Sequence, residues 1–231
     1  MLINENQELE FQKVVAASDM FQLLALTLHL PQQELASGLL DGSIAEDVKS
    51  LLFELGIIPE EAKIIEAAFE NIRLNGGSGE DLLSEMRREY TRLFTHPKRP
   101  AIRIYEALFK YKPEVDGGKP SLFINPTALD AEGCYKNAGL TMSRGMNESG
   151  DHMATEMEFM MYLYQQKAKA LYEGDQERTA QVNEQIEQFS KSHLNKWAVD
   201  FFDQCASVSE ERVYQTIGRI GSLFLRKILQ G

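Results

Sequence analysis

The sequence predicts an all-α fold, a single multi-helix domain of about ten helices spanning residues 1–231. Three observations carry that prediction. Apolar residues recur at three-or-four spacing along almost the whole chain, the signature of helices with one buried face. No alternating apolar-polar run exceeds a few residues, so the strand pattern is missing. Proline and glycine fall between the periodic stretches, where helices are expected to stop.

The elements follow in order. Phe11, Val14, Val15, Phe21, Leu24 and Leu28 form the first stripe, closed by Pro31, which cannot continue a helix. Val48, Leu51, Leu52 and Leu55 form another, closed by Gly56 and Pro59. Ile64, Ile65, Ala68, Phe69 and Ile72 precede the cluster Asn75-Gly76-Gly77-Ser78-Gly79. Those glycines lack the GK[ST] ending and the preceding strand of a phosphate loop. Ser78 with Asp81 fits a capping box, a simpler account of the same residues.

Leu82, Leu83, Met86, Tyr90, Leu93 and Phe94 line the next helix, before Pro97 and Pro100. Arg87 and Arg88 fall on its solvated side. Residues from Tyr111 to Asn125 read as a loop, and Ala128 to Gly139 as a helix ending at its glycine. Met153, Met157, Met160, Met161, Tyr164, Ala168 and Leu171 then share one face over about five turns. Phe189, His193, Trp197 and Phe201 repeat every fourth residue, and Val213, Ile217, Ile220 and Leu223 to Leu225 belong to a last helix.

Composition excludes several classes. With 24 basic against 35 acidic residues the formal charge is −11, which repels nucleic acid and anionic membrane surfaces and favours a basic partner. Cys134 and Cys205 stand far apart with no metal-type spacing, as in a protein of the reducing cytoplasm. The acidic, polar start MLINENQELEFQ does not read as a signal peptide. The longest greasy stretch, Met20 to Leu30, is too short to span a bilayer.

The chemistry concentrates around Asp151-His152. Asp151 sits where a helix begins and suits a cap, with His152 in the first turn. Glu148, Asp151, Glu156 and Glu158 crowd the same entrance, which also suits docking of a guanidinium or ammonium group. Asp151, His152 and Glu156 further allow a metal-dependent hydrolase, although HExxH is absent and His29, His96 and His193 are scattered. No GxSxG elbow or cysteine signature supplies a nucleophile. His193 on its aromatic face reads as a hydrogen-bonded core histidine. The methionines Met142, Met146, Met153, Met157, Met160 and Met161 fit either core packing or a surface that accepts apolar peptides.

Four segments resemble the TorD/DmsD family of redox-enzyme maturation chaperones, which is related to NarJ. The first is Glu148-Ser149-Gly150-Asp151-His152, followed by Glu156-Met157-Glu158-Phe159-Met160 and Leu163, similar to the family's E-P-x-D-H box and its helix. The second is Tyr90-Thr91-Arg92-Leu93-Phe94-Thr95-His96-Pro97 with Tyr105-Glu106-Ala107-Leu108-Phe109. Tyr135 with Ala138-Gly139-Leu140, and His193-Leu194 with Trp197 and Phe201, complete the order over residues 82–205. Ser149-Gly150 stand where the family has its proline, which loosens the entry to the helix.

The resemblance implies an all-helical cytoplasmic chaperone and no enzyme. Its partners would be the twin-arginine leader peptide and the apo catalytic subunit of a molybdopterin-dependent oxidoreductase, held until the cofactor is inserted and export is timely. No cofactor of its own is implied, and monomer and domain-swapped dimer both remain open. Glu148, Asp151 and His152 would form the charged end of a peptide groove, with Tyr90, Phe94, Pro97 and Tyr105 as its aromatic wall. The alternatives are the hydrolase above and a general acidic helical adaptor.

Overall fold

A computed structural model describes residues 5–112, 114, 125–140 and 149–229. Glu148, Arg144, Met142, Met146 and most of the Tyr111 to Asn125 loop lie outside these residues. Among the described residues the chain forms eleven α-helices: α1 (Glu5–Thr27), α2 (Gln33–Asp41), α3 (Ser43–Glu54), α4 (Pro59–Asn75), α5 (Gly79–Tyr90), α6 (Glu106–Lys110), α7 (Pro126–Asn137), α8 (Met153–Glu173), α9 (Gln176–Ser192), α10 (Ala198–Val208) and α11 (Arg212–Leu229). The sole extended pairing described is an isolated antiparallel bridge between Tyr105 and His152.

Local chemistry sets many of the ends. Leu55 and Gly56 close α3 with the crossed bonds of a Schellman turn, Gly56 N to Phe53 O (3.0 Å) and Ile57 N to Leu52 O (3.0 Å). Gly56 sits at φ 66°, where a side chain would be strained. The capping box at α5 is present: Asp81 N donates to Ser78 Oγ, and Ser78 N donates back to the Asp81 carboxylate. After α5 the backbone widens into one π-helical stretch, Thr91–Thr95, which turns Leu93 and Phe94 inward.

One hydrophobic cluster runs from Val14 in α1 to Leu225 in α11. α1 lies along α8, and Phe21 meets Tyr164 and Phe224 at centroid distances of 5.4 and 4.8 Å. The methionine stripe of α8 is core: Met153, Met157 and Met160 are fully buried. α10 and α11 pack closely because Gly218 and Gly221 carry no side chain. A Cβ on Gly218 would lie 2.7 Å from the Phe202 carbonyl oxygen and collide with the Ala206 amide.

One periodic reading is corrected. Phe189, His193, Trp197 and Phe201 do not share a helix, because α9 stops at Ser192 and a 3₁₀ turn covers Leu194–Lys196. Trp197, at φ −156° and ψ −24°, lies outside helical backbone geometry. All four side chains are nonetheless buried together, with Phe189 stacked on His193 at 4.7 Å and Trp197 edge-on to Phe201 at 5.5 Å.

Candidate functional site

The turn Ser149–His152 enters α8, and its polar groups are turned toward the protein. Asp151 does not cap α8. That place belongs to His152, whose Nδ1 accepts from Ala154 N at 3.1 Å, which requires that nitrogen to be unprotonated. Asp151 instead reaches across to the start of α6. Its Oδ2 accepts from Ala107 N (3.1 Å) and Asn125 Nδ2 (2.7 Å), its Oδ1 from Ser149 Oγ (2.7 Å), and its backbone oxygen from Glu106 N (2.9 Å). Asn125 is itself the N-cap of α7, its side-chain oxygen accepting from Thr127 N and Ala128 N. One buried carboxylate thus joins α6, α7 and the entry to α8.

The bridge beside it adds a second layer. Met153 N donates to Ile104 O (3.0 Å), and the Tyr105 ring meets His152 edge-on at 5.1 Å. Tyr135 Oη donates to Gly150 O at 2.6 Å. Gly150 is packed too tightly for another residue, since a Cβ there would lie 2.7 Å from Glu132 Cγ and 3.0 Å from Ala128 O.

The expected groove residues therefore divide. Tyr105, Asp151 and His152 come together at this turn, with Tyr105 half-buried and the other two buried. Tyr90 and Phe94 lie in the core beside Tyr214 and Phe201, and Tyr90 Oη bonds Leu28 O at 3.4 Å. Pro97 is exposed just after the π-helical stretch. The acidic entrance is also redistributed. Glu156 and Asp151 are wholly buried, whereas Glu158 stays partly exposed and pairs with His29 Nε2 at 2.9 Å.

Asp151, His152 and Glu156 do not converge on one ligand position, because the first two are committed to the contacts above. Glu156 belongs to a different group beneath the turn. Its Oε2 accepts from Trp197 Nε1 at 3.0 Å, and it lies with Glu106 and His193. Glu106 Oε2 meets His193 Nδ1 at 2.7 Å, and Glu106 Oε1 accepts from Lys110 Nζ at 2.8 Å. His193 is the core histidine the aromatic face suggests, yet it is also the centre of a buried ionic cluster.

The charges follow from these neighbours. Burial, then the Glu106 charge, pushes the Glu156 carboxyl well above the usual range. Burial also works against ionisation of Glu106, but hydrogen bonds from His193 and Lys110 outweigh it and hold Glu106 below its ordinary value. For His193 burial favours the neutral ring. The contacts with Cys134 and Glu106 and the nearby Glu156 prevail and bring it up to about 9.

In the sequence Glu156 reads as a docking acid or as a ligand of the alternative hydrolase, and Glu106 only as part of an aromatic segment. The available signal was a glutamate inside an otherwise apolar stretch: Glu106 within Tyr105-Glu106-Ala107-Leu108-Phe109, and Glu156 within a methionine face. The contacts themselves, spanning 87 and 41 residues, leave no local trace.

A family model described as nitrate reductase delta subunit matches residues 45–203, which include Tyr90, Tyr105, the Ser149–His152 turn and His193. No curated protein and no solved structure matches the chain.

Proposed function

The chain belongs to the nitrate reductase delta subunit family, a family of molybdoenzyme maturation chaperones related to TorD/DmsD, and from that premise we propose that it binds the twin-arginine leader and apo form of one molybdopterin-dependent oxidoreductase. In this reading it acts in the cytoplasm, assists cofactor insertion and delays export until the client is complete. The family match over residues 45–203 is the observation that carries it. Among the described residues no helix is long and apolar enough to cross a membrane. The formal charge of −11 favours a leader whose recognition element is a pair of arginines.

The proposed binding face is the Ser149–His152 turn with its neighbours. Tyr105, half-buried against His152, and the exposed Pro97 offer apolar contact to the peptide. Glu148 supplies the acid at the charged end. Asp151 and His152 act from below, holding the turn in shape, and Tyr90 and Phe94 support the wall from the core. This division of labour follows from burial: a carboxylate already accepting three hydrogen bonds has little to offer an arginine.

Isothermal titration of the full chain with its client's leader peptide tests the reading. Specific binding is expected, weakened by Tyr105→Ala with the fold intact, and lack of binding by folded protein would sink it. Replacing the two leader arginines by lysines should reduce affinity, since lysine cannot make the forked bonds of a guanidinium. Unchanged affinity would favour the general adaptor. Co-purification from anaerobically grown native cells, with mass spectrometry, identifies the client.

A further inference from the structure

We propose that Glu106, Glu156 and His193 form an interior binding site for a divalent cation of the zinc class, which would clamp α6, α8 and the end of α9 beneath the Ser149–His152 turn. This goes beyond leader binding and does not depend on it. The three residues open α6, occupy the first turn of α8 and cap the C-terminus of α9, so one ion would join three elements distant in sequence.

The donor geometry is close to what such an ion requires. One carboxylate oxygen of each glutamate and one ring nitrogen of His193 lie within 4.8 Å of one another. A common centre is then no more than about 2.8 Å from each donor, against the ~2.0–2.2 Å of zinc bonds to nitrogen and oxygen. Contraction by less than about 1 Å on each side closes that gap. Imidazole and carboxylate are donors that zinc accepts.

A second observation points to something beyond the protein's own partners. Glu156 Oε1 and His193 Nε2 are buried without a hydrogen-bond partner among the described residues. Asp130 Oδ2 comes within 3.4 Å of that nitrogen as an ion pair. Unsatisfied buried polar atoms are uncommon and costly, and Glu156 Oε1, within a triad of ligand types, is what an unfilled coordination sphere leaves, whereas His193 Nε2 has Asp130 beside it.

The site would be structural. Glu106 and Glu156 are wholly buried and His193 is 1% exposed, so a substrate has no open coordination position to approach. That separates it from the hydrolase considered for Asp151, His152 and Glu156. The ion would instead stiffen the framework under the turn.

The test uses the full chain, dialysed against chelator and titrated with Zn²⁺ alone, followed by calorimetry and thermal unfolding, with Co²⁺ as a spectroscopic substitute. One equivalent is expected to bind and raise Tm, and Co²⁺ should give the intense visible bands of a low-coordinate site. Glu156→Gln keeps an acceptor for Trp197 and should still fold, yet lose at least about tenfold in affinity. His29→Asn, which removes the surface pair with Glu158, should leave affinity unchanged. Absence of binding by the folded apoprotein at submillimolar Zn²⁺, or binding that survives Glu156→Gln, would overturn the proposal.

Discussion

Asp151 and Asn125 are joined by a 2.7 Å hydrogen bond, Nδ2 to Oδ2, that ties the entry of α8 to the N-cap of α7 across 26 residues. The same oxygen also accepts from the amide of Ala107. Asp151→Ala would leave the Asn125 amide, the Ala107 N–H and the Ser149 hydroxyl without their acceptor in a buried setting. A loss of about 3 kcal/mol is expected, measured as a shift in urea midpoint with unchanged slope. Client maturation should fall with stability, so Tyr105→Ala is the better probe of peptide contact.

Glu89 makes stability depend on acid. Its carboxylate is buried, and burial opposes its ionisation. Two hydrogen bonds from Arg92 at 2.7 Å, one from the Ser209 hydroxyl at 2.7 Å and one from Glu210 N at 2.7 Å prevail, holding it down to about 2. A carboxyl with a depressed folded pKa contributes fully above its unfolded value near 4.5 and loses that contribution as pH falls toward 2. About 2–3 kcal/mol is expected to disappear between roughly pH 5 and pH 2. Glu89→Gln should flatten this part of the stability profile in denaturant melts taken at successive pH values.

Gly218→Ala should be among the more damaging single-methyl additions to this chain. The new Cβ would meet backbone of α10, at the Phe202 carbonyl and the Ala206 amide, and backbone cannot rotate away as a side chain can. α10 and α11 would have to separate, costing about 2–3 kcal/mol. Gly133→Ala, in a helix and with open space around it, is the control and should be neutral or mildly stabilising by thermal melt.

Ser78→Ala removes both the acceptor for Asp81 N and the local hydroxyl contact with the Asp81 carboxylate. A loss of about 1 kcal/mol is expected by chemical denaturation. Ser78→Asp should recover most of it, because a carboxylate also caps and lies favourably at the helix N-terminus.

The residues show why some features were legible and others were not. The capping box at Ser78, the glycine closures at Gly56 and Gly139 and the buried face of α8 were all readable, since each depends on residues within one or two turns. The four-residue repeat from Phe189 to Phe201 looked like one helix because burial, which the repeat does report, does not require continuous helical backbone. Asp151 looked like the cap of α8 because its position is one residue from the true cap. Its actual partners lie 26 and 44 residues away.

By itself the sequence determined the helical class, several helix ends, the acidic balance and the order of segments that mark the family, all consequences of local periodicity, backbone sterics and composition. Only the tertiary structure decided which polar groups face each other. It turned Asp151 inward to α6 and α7, made His152 the cap of α8, and gathered Glu106, Glu156 and His193 from three helices. A buried carboxylate must find donors wherever packing brings them, and packing is set by the whole chain rather than by its neighbours in sequence.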